Sequence, residues 1–579
     1  MTLSKKLLTF LVSLTCISSC TMIERPEDFL TSNNYDESET TTKSFDVYDN
    51  DCPIIIGATL ENPYRIGNMR EAYRQLSSQG ITLSFPISSI TVSHLYIKFI
   101  PSSIDELNEL EEFQCLELFD YPLDCEIVQE GDYYRQPGIA DSIPTWQYAS
   151  VAIADWSQIK KDITVKYEIL DSLCTEFKYT INKTNSLNDN TIENDFDILE
   201  QMSFKLTGNA EAVTKAPAKW RPSGRIMAYD NIVDGMIPLE NVKVRTNRFG
   251  KVAVGYTNEN GYYSCNKTYQ YKVRYKIVWE SSRWDIRDGN LWQAYLNDGG
   301  WRKGEWNVNI LNGNGKSIRY ATIHRALQRF YFGNTYGLSR PSNSRKEKVA
   351  YLHKESKNDI NGDYNRQWGL GVWSDIRIFG ISNGEYRDLS AIYSTTAHEV
   401  GHAAHFTNSR NNYKKSSDML LESWARCVQA HLTDCEYSEL GVKRKLYEYE
   451  SLLGMVSPKK NRVEIADSVF VVMMTPDQQY NFQSWKSGSS AYTPLFIDLI
   501  DSYNQRTYYS LKYKGSNVKL SYPDDKVSGF PISDLENLVY ASTSISDFRQ
   551  KLENYIVEHP SIGNGMTEEN LEILFESYE

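Results

Sequence analysis

Ala397-His398-Glu399-Val400-Gly401-His402-Ala403-Ala404-His405 is the stretch from which the rest of this 579-residue chain is read. Four residues advance a helix by about 400°, so His398 and His402 share a face, with their rings roughly 6 Å apart along the axis. Two imidazole nitrogens placed this way can converge on one Zn²⁺, while Glu399, one step round, reaches a water on the same ion. The residues leading in are helical in pattern. Leu389, Ile392, Tyr393, Thr396, Ala397, Val400 and Ala404 recur at three- and four-residue spacing, with Asp388 as the expected N-cap. Three of the chain's eight His fall in this stretch. The five-residue pattern also arises by chance on solvent-facing helices, so a third ligand is what separates the two readings.

Leu421-Glu422-Ser423-Trp424-Ala425 supplies one. A polar turn from Thr407 to Ser417 lets a second helix return antiparallel and carry Glu422 back towards the two His. Here the chain resembles the gluzincin metallopeptidases, the thermolysin-like class with HExxH, a similar spacer and a Glu on the next helix. The resemblance covers about 388–432 and is thin elsewhere. It implies a zinc site of His398, His402 and Glu422, with Glu399 as general base and a protein or peptide as substrate. Gluzincins also draw a Tyr or His from a helical C-terminal lobe to stabilise the oxyanion. Tyr492, in Gly488-Ser489-Ser490-Ala491-Tyr492, is the candidate for that role. The Asp that often follows the Glu ligand by four residues is missing, and Arg426 stands there instead.

Two other zinc patterns use ligands at comparable positions. A metzincin needs a Gly and then a third His where this chain has His405 and Asn408, so that pattern fails. Asp418, one turn before Glu422, is the alternative ligand of the aspzincin kind; its expected local role is N-cap of a helix starting near Met419. His405 lies on nearly the same face as His398 but about 10 Å further along the axis, which suits packing rather than ligation.

The peptidase region is expected over 288–579. It contains an amphipathic helix from Arg319 to Phe332, a strand from Asp375 to Ile381, and helical patterns at Leu440–Leu453, Pro494–Tyr503, Ser533–Tyr540, Ile545–Val557 and Thr567–Ser577. By the resemblance, the Asp375–Ile381 strand edges the cleft and pairs with extended substrate.

Upstream, Gly224-Arg225-Ile226, then Pro238 to Val244, then Gly255 to Tyr263 alternate strands with turn chemistry, and Asn260-Gly261 marks a tight turn. This set resembles the carboxypeptidase regulatory-like, transthyretin-type β-sandwich, expected over 223–287. A linker over 209–222 precedes it. Before that, 47–208 reads as an α+β accessory domain. Strands are expected at His94–Phe99, Leu116–Phe119, Gln147–Ile153 and Thr164–Leu170, and Ser103-Ile104-Asp105-Glu106 forms a capping box.

At the N-terminus, Lys5 and Lys6 precede an apolar run from Leu7 to Ile17 that ends in Ser18-Ser19-Cys20. This is the form of a signal peptide over 1–19. The ending resembles a bacterial lipobox, which implies lipidation of Cys20, a tether over 20–46, and export to a bacterial membrane through that anchor alone. Of nine Cys, no two form a CxxC pair; Cys115 and Cys125 read equally as a bridge between strands or as free thiols. A formal net charge of −13 argues against nucleic acid as partner. The expected fold is multidomain α+β: an N-terminal α+β unit, a transthyretin-like sandwich, and a mainly helical zincin-type metallopeptidase domain. The expected function is a zinc-dependent peptidase. The alternative is a surface-anchored protein- or glycan-binding lipoprotein with a non-catalytic zinc site.

Overall fold

Strands form where apolar residues alternate and helices where they recur at three and four, and the described residues accordingly build a mixed α+β structure with a helical C-terminal part. The structure is a computed structural model. It describes residues 44–47, 52–131, 133–140, 143–177, 189–210, 218–290, 292–297, 300–313, 315–343, 345–357, 360–365, 374–441, 445–447, 462–464, 493–502, 504 and 524–578. Cys20 and Tyr492 lie outside the described residues. None of the described helices is long and apolar enough to cross a membrane.

In the N-terminal part, His94–Ile100 lies between Gln147–Ala152 and Lys166–Leu173, antiparallel to both. Ser103 caps the helix Ile104–Glu112 by accepting from the Glu106 N–H, and Glu106 accepts in return from the Ser102 N–H at 2.7 Å. The expected capping box is therefore present, its return bond shifted by one residue. Leu116–Phe119 does not form the expected strand; Phe119 alone bridges to Tyr148. Leu116 and Phe119 are buried and Leu118 is half-buried, so the apolar pattern reflects packing rather than strand pairing. Ile153, expected to end a strand, instead opens the helix Ile153–Asp162.

Two sheets follow. In one, Ser223–Asp230 lies between Tyr262–Ser264, antiparallel, and Asn307–Ile310, parallel. In the other, Lys243–Arg248 lies between Lys251–Tyr256 and Arg274–Val278, and Arg274–Val278 also pairs with Tyr295–Asn297. Ile226, Val244, Ala253, Ile277 and Val308 from both sheets join one buried core. The Asn260-Gly261 turn forms as expected: Gly261 has φ 79°, and Asn258 accepts from the N–H groups of Asn260 and Tyr262. All of Lys243–Arg248 is buried, charged residues included, because the N-terminal part covers its outer face. Lys243 and Arg245 meet Glu117 there, and Arg245 donates to the Leu118 carbonyl at 2.7 Å.

A third, six-stranded sheet runs in the order Trp292–Gln293, Trp284–Asp288, Glu347–Glu355, Ile376–Ser382, Gly362–Tyr364, with Glu385–Tyr386 also on Ile376–Ser382. Strands cross the border expected between 287 and 288 in both directions. Trp284–Asp288 belongs to this third sheet, while Tyr295–Asn297 and Asn307–Ile310 return to the two before it. Backbone pairing completes a sheet with whichever strand reaches its edge, so sequence order does not bound it. Ile376–Ser382 is flanked on both sides and is not an edge strand; Gly362–Tyr364 lies outside it.

Against this sheet pack the helices Lys316–Tyr331 and Leu389–Asn408, and Asp418–Glu439 packs on Leu389–Asn408. The helix Asp418–Glu439 is continuous through Cys427 and Cys435, which therefore cannot pair with each other, and Cys115, Cys125, Cys174, Cys265 and Cys427 are free thiols. Lys445–Tyr447, expected as helix, is a short strand on Arg462–Glu464. Helices Ile532–Tyr540, Ile545–Glu558 and Glu568–Glu576 form close to their expected bounds, and Ser544 and Thr567 cap the latter two.

One buried ionic network ties these layers. Arg325 donates to Asp230 at 2.7 Å and to Glu436 at 3.1 Å, and the Tyr437 hydroxyl donates to Asp230 at 2.7 Å. Asp230 also accepts from the Ile232 and Val233 N–H groups. Burial raises the Asp230 carboxyl, but Arg325 and these hydrogen bonds outweigh it and hold it below the usual carboxylate range. A depressed folded-state pKa contributes stability above the unfolded value of about 3.9 that is lost as pH falls through the folded value. Asp230→Ala leaves Arg325 with Glu436 alone and the Tyr437 hydroxyl without its acceptor, and should lose about 3 kcal/mol at neutral pH. In urea melts the gap to the wild type should narrow once the pH falls below about 4.

Candidate metal centre

The helix Leu389–Asn408 is apolar or small on nearly every face and is buried from Leu389 to Phe406. Asp388 occupies its N-cap position, as expected, but its side chain makes no capping bond. At Gly401 the helix meets Asp418–Glu439: a Cβ on Gly401 would lie 3.2 Å from both Cβ and Cγ1 of Val428. Absence of a side chain there lets the two helices approach closely. The second helix starts with Ser417 as N-cap, its hydroxyl accepting from the Leu420 N–H. The capping role expected of Asp418 thus falls to Ser417, and Asp418 is the first helical residue.

This approach brings the sequence-predicted ligands together. His398, Glu399 and His402 each offer an atom within 4.8 Å of the others. The two rings stand 4.9 Å apart at 80°. His398 Nε2 lies 3.2 Å from Glu422 Oε2, and His402 Nε2 lies 3.4 Å from Glu422 Oε1. Ligand atoms on a tetrahedral ion with bonds of about 2.0–2.2 Å stand about 3.4 Å apart, so both separations suit one shared zinc. Two imidazoles and a carboxylate are also a donor set that zinc accepts. His398, Glu399 and His402 are only 8%, 4% and 5% exposed, whereas the Glu422 side chain is 29% exposed.

Electrostatics follow from that burial. Burial lowers the His398 pKa and so favours the neutral imidazole that binds metal. Burial raises the Glu422 carboxyl, but the neighbouring imidazoles outweigh it and hold it well below the usual range. Burial, then the charges of Glu422 and Asp363, push Glu399 well above its ordinary value. A cation held by the two imidazoles acts on Glu399 in the opposite direction.

Several residues around the site carry no sequence motif. The Tyr413 hydroxyl lies 3.3 Å from His402 Nδ1. When Nε2 presents its lone pair to a metal, Nδ1–H donates to that oxygen and fixes the ring. Tyr413 sits on the short helix Arg410–Tyr413 inside the polar turn, which the C-terminal part holds: Ser409 and Asn412 both donate to the Tyr540 carbonyl. Tyr364 stacks on His402 at 6.5 Å and 11°. Gly362 packs directly on Glu399, where a Cβ would stand 2.7 Å from Oε1. Arg387 pins the sheet to the motif helix, donating to Phe379 and Asn361 carbonyls, the Ala391 carbonyl and the Thr395 hydroxyl. His405 is fully buried and stacks on Tyr540 at 4.5 Å, and burial pushes its pKa down to about 3. It is a packing residue. A cavity of about 440 Å³ between the N-terminal part and the sheets, lined by Phe113, Arg245, Trp292 and Tyr320 among others, shares no residue with this centre.

No family model matches this chain, and no curated protein does. Among solved structures, a 9R-lipoxygenase from Cyanothece PCC8801 aligns over 40% of this chain and 53% of its own length, at 12% identity and a TM-score of 0.10. A likeness of that size supports no statement about fold or activity.

Tyr413→Phe removes the partner of His402 Nδ1 and leaves the packing in place. It should weaken zinc binding by about 10–100-fold, read by titration against a chromophoric chelator, with the circular dichroism spectrum unchanged.

Proposed function

We propose that this chain is a zinc-dependent peptidase of the gluzincin kind, acting on extracellular proteins or peptides. The observation that carries the reading is the Glu422 carboxylate at 3.2 and 3.4 Å from the two imidazoles, with Glu399 beside them on the same helix. His398, His402 and Glu422 would hold the ion, and zinc bound there would supply Lewis acidity and a water of lowered pKa. Glu399 would serve as the general base that accepts a proton from the attacking water and passes it to the leaving amine, a role suited to a buried carboxylate beside a cation. Tyr413 keeps His402 in the metal-binding tautomer. Tyr492 remains the sequence-based candidate for the oxyanion donor.

The finer domain assignments belong to the same reading. The two sheets between Ser223 and Ile310 form a transthyretin-like sandwich that scaffolds the catalytic part, and the N-terminal part is an accessory domain packed on it. Cys20 carries a lipid that anchors the exported protein to a bacterial membrane. One observation favours the second reading, a binding lipoprotein with a non-catalytic zinc. Both His and Glu399 are nearly inaccessible, and Gly362 sits against Glu399.

Glu399→Gln decides between them. The amide is nearly isosteric but cannot accept the proton, so metal content should persist while hydrolysis of unlabelled protein drops about 10²–10⁴-fold. A wild type that binds zinc and hydrolyses nothing supports the second reading; an unimpaired variant removes Glu399 from the mechanism. For the ligand set, Glu422→Ala should lose zinc and activity together. Asp418→Ala should keep both and lose about 0.3–1 kcal/mol, the contribution of an acidic residue in a first helical turn. Zinc lost from the Asp418 variant and kept by the Glu422 variant would reverse the assignment.

A further inference from the structure

A second convergence of oxygen ligands lies behind the Glu422 helix. Asp498, Asp501 and Asp525 are 0%, 2% and 4% exposed, and each offers one carboxylate oxygen within 4.8 Å of the others. Three chain segments meet here. Thr493 donates its N–H to the Ser423 hydroxyl at 2.9 Å, fastening the short helix Leu495–Asp498 beside Glu422. Gly529 and Phe530 donate to the carbonyls of Ile500 and Leu499, both at 2.9 Å, which brings in the segment carrying Asp525. The Tyr578 hydroxyl donates to Asp498 and ties in the C-terminus.

The cluster also contains an atom that needs a ligand. Asp525 Oδ1 accepts from the Val527 N–H at 3.1 Å, but Oδ2 is buried without any hydrogen-bond partner. A buried carboxylate oxygen left this way, with two more carboxylates beside it, is strongly unfavourable unless a proton or a cation compensates it. The donor set chooses among cations. Oxygen ligands alone select a hard dication over zinc. Calcium–oxygen bonds of about 2.3–2.6 Å allow ligands of one ion to stand up to about 5 Å apart, which covers any separation within that 4.8 Å limit. Magnesium, with bonds of about 2.0–2.1 Å, requires a tighter set and keeps several waters.

We propose that Asp498, Asp501 and Asp525 bind a calcium ion that locks the 493–501 and 524–530 segments together behind the helix bearing Glu422. The site is separate from the zinc centre in residues, ligand chemistry and expected role. Its role is structural: bound calcium stabilises the native chain by mass action and leaves the catalytic groups untouched.

The test uses the full chain, stripped with EGTA and checked for retained zinc by elemental analysis. Equilibrium dialysis with calcium chloride should show a bound calcium that zinc does not displace, and Tm should rise with calcium and saturate. Asp525→Asn should weaken calcium binding by at least about tenfold, since even changes outside the ligand shell have that effect on metal sites. It should also flatten the Tm response while zinc content holds. A wild-type Tm that ignores millimolar calcium, with none bound, overturns the proposal and leaves protons as the compensating charge. An Asp525→Asn protein that keeps the full response overturns it too. If that variant does not fold, the wild-type dialysis decides alone. Neither readout uses peptidase activity, so this site stands or falls apart from the zinc reading.

Discussion

The close approach of two helices at Gly401 is the constraint on which the rest of the structure depends. Val428 stands where a Cβ on Gly401 would be crowded, so Leu389–Asn408 and Asp418–Glu439 pack nearly backbone to side chain. Side chains on helices reach only a few ångströms, and two imidazoles meet a carboxylate only when their helices are this near. The spacing of His398, His402 and Glu422 is therefore a consequence of a missing side chain three residues from the first His.

Other elements hold that approach in place. Arg325 grips the far end of the Glu422 helix through Glu436 and ties it to Asp230 on a strand of an earlier sheet. Ser409, Asn412 and Ser417 fasten the connecting turn to the Ile532–Tyr540 helix and to Thr543 beyond it. The turn looks like a solvated linker in sequence, yet it is the platform from which Tyr413 reaches His402. Burying the motif helix so completely places His398, Glu399 and His402 in low dielectric, where neighbouring charges act strongly and a metal would act most strongly of all. The same burial is completed by the strand Gly362–Tyr364, where Gly362 packs on Glu399 and Tyr364 stacks on His402.

Much of this was legible locally. The helices around 389, 532, 545 and 568 announce themselves through periodicity and caps, because helical bonds join residues four apart. The Ser103 capping box and the Asn260-Gly261 turn are likewise short-range. Misreadings came where a partner lay far off in sequence. Leu116–Phe119 has the composition of a strand but only one residue in pairing position, and Lys445–Tyr447 finds a strand partner that its helical pattern does not reveal. Asp418 and Ser417 are both good caps, and the choice between them rests on a one-residue difference in where the chain turns.

Sequence by itself determined the chemistry available to the site: two His on one helical face with a Glu one step round, a second Glu after a polar turn, and small residues that permit close packing. Those are properties of residue type and of short spacing, and short spacing is what a helix preserves. Tertiary structure alone decided which distant groups complete the site. Tyr413 against His402, Gly362 against Glu399, and Arg387 bridging sheet to helix depend on side chains that meet through folding rather than through neighbourhood in the chain. The strand exchange that mixes Trp284–Asp288 into the third sheet and returns Asn307–Ile310 to the first is of the same kind. Sheet hydrogen bonds are satisfied by whichever edge is nearest in space, and no local pattern records where that edge will be.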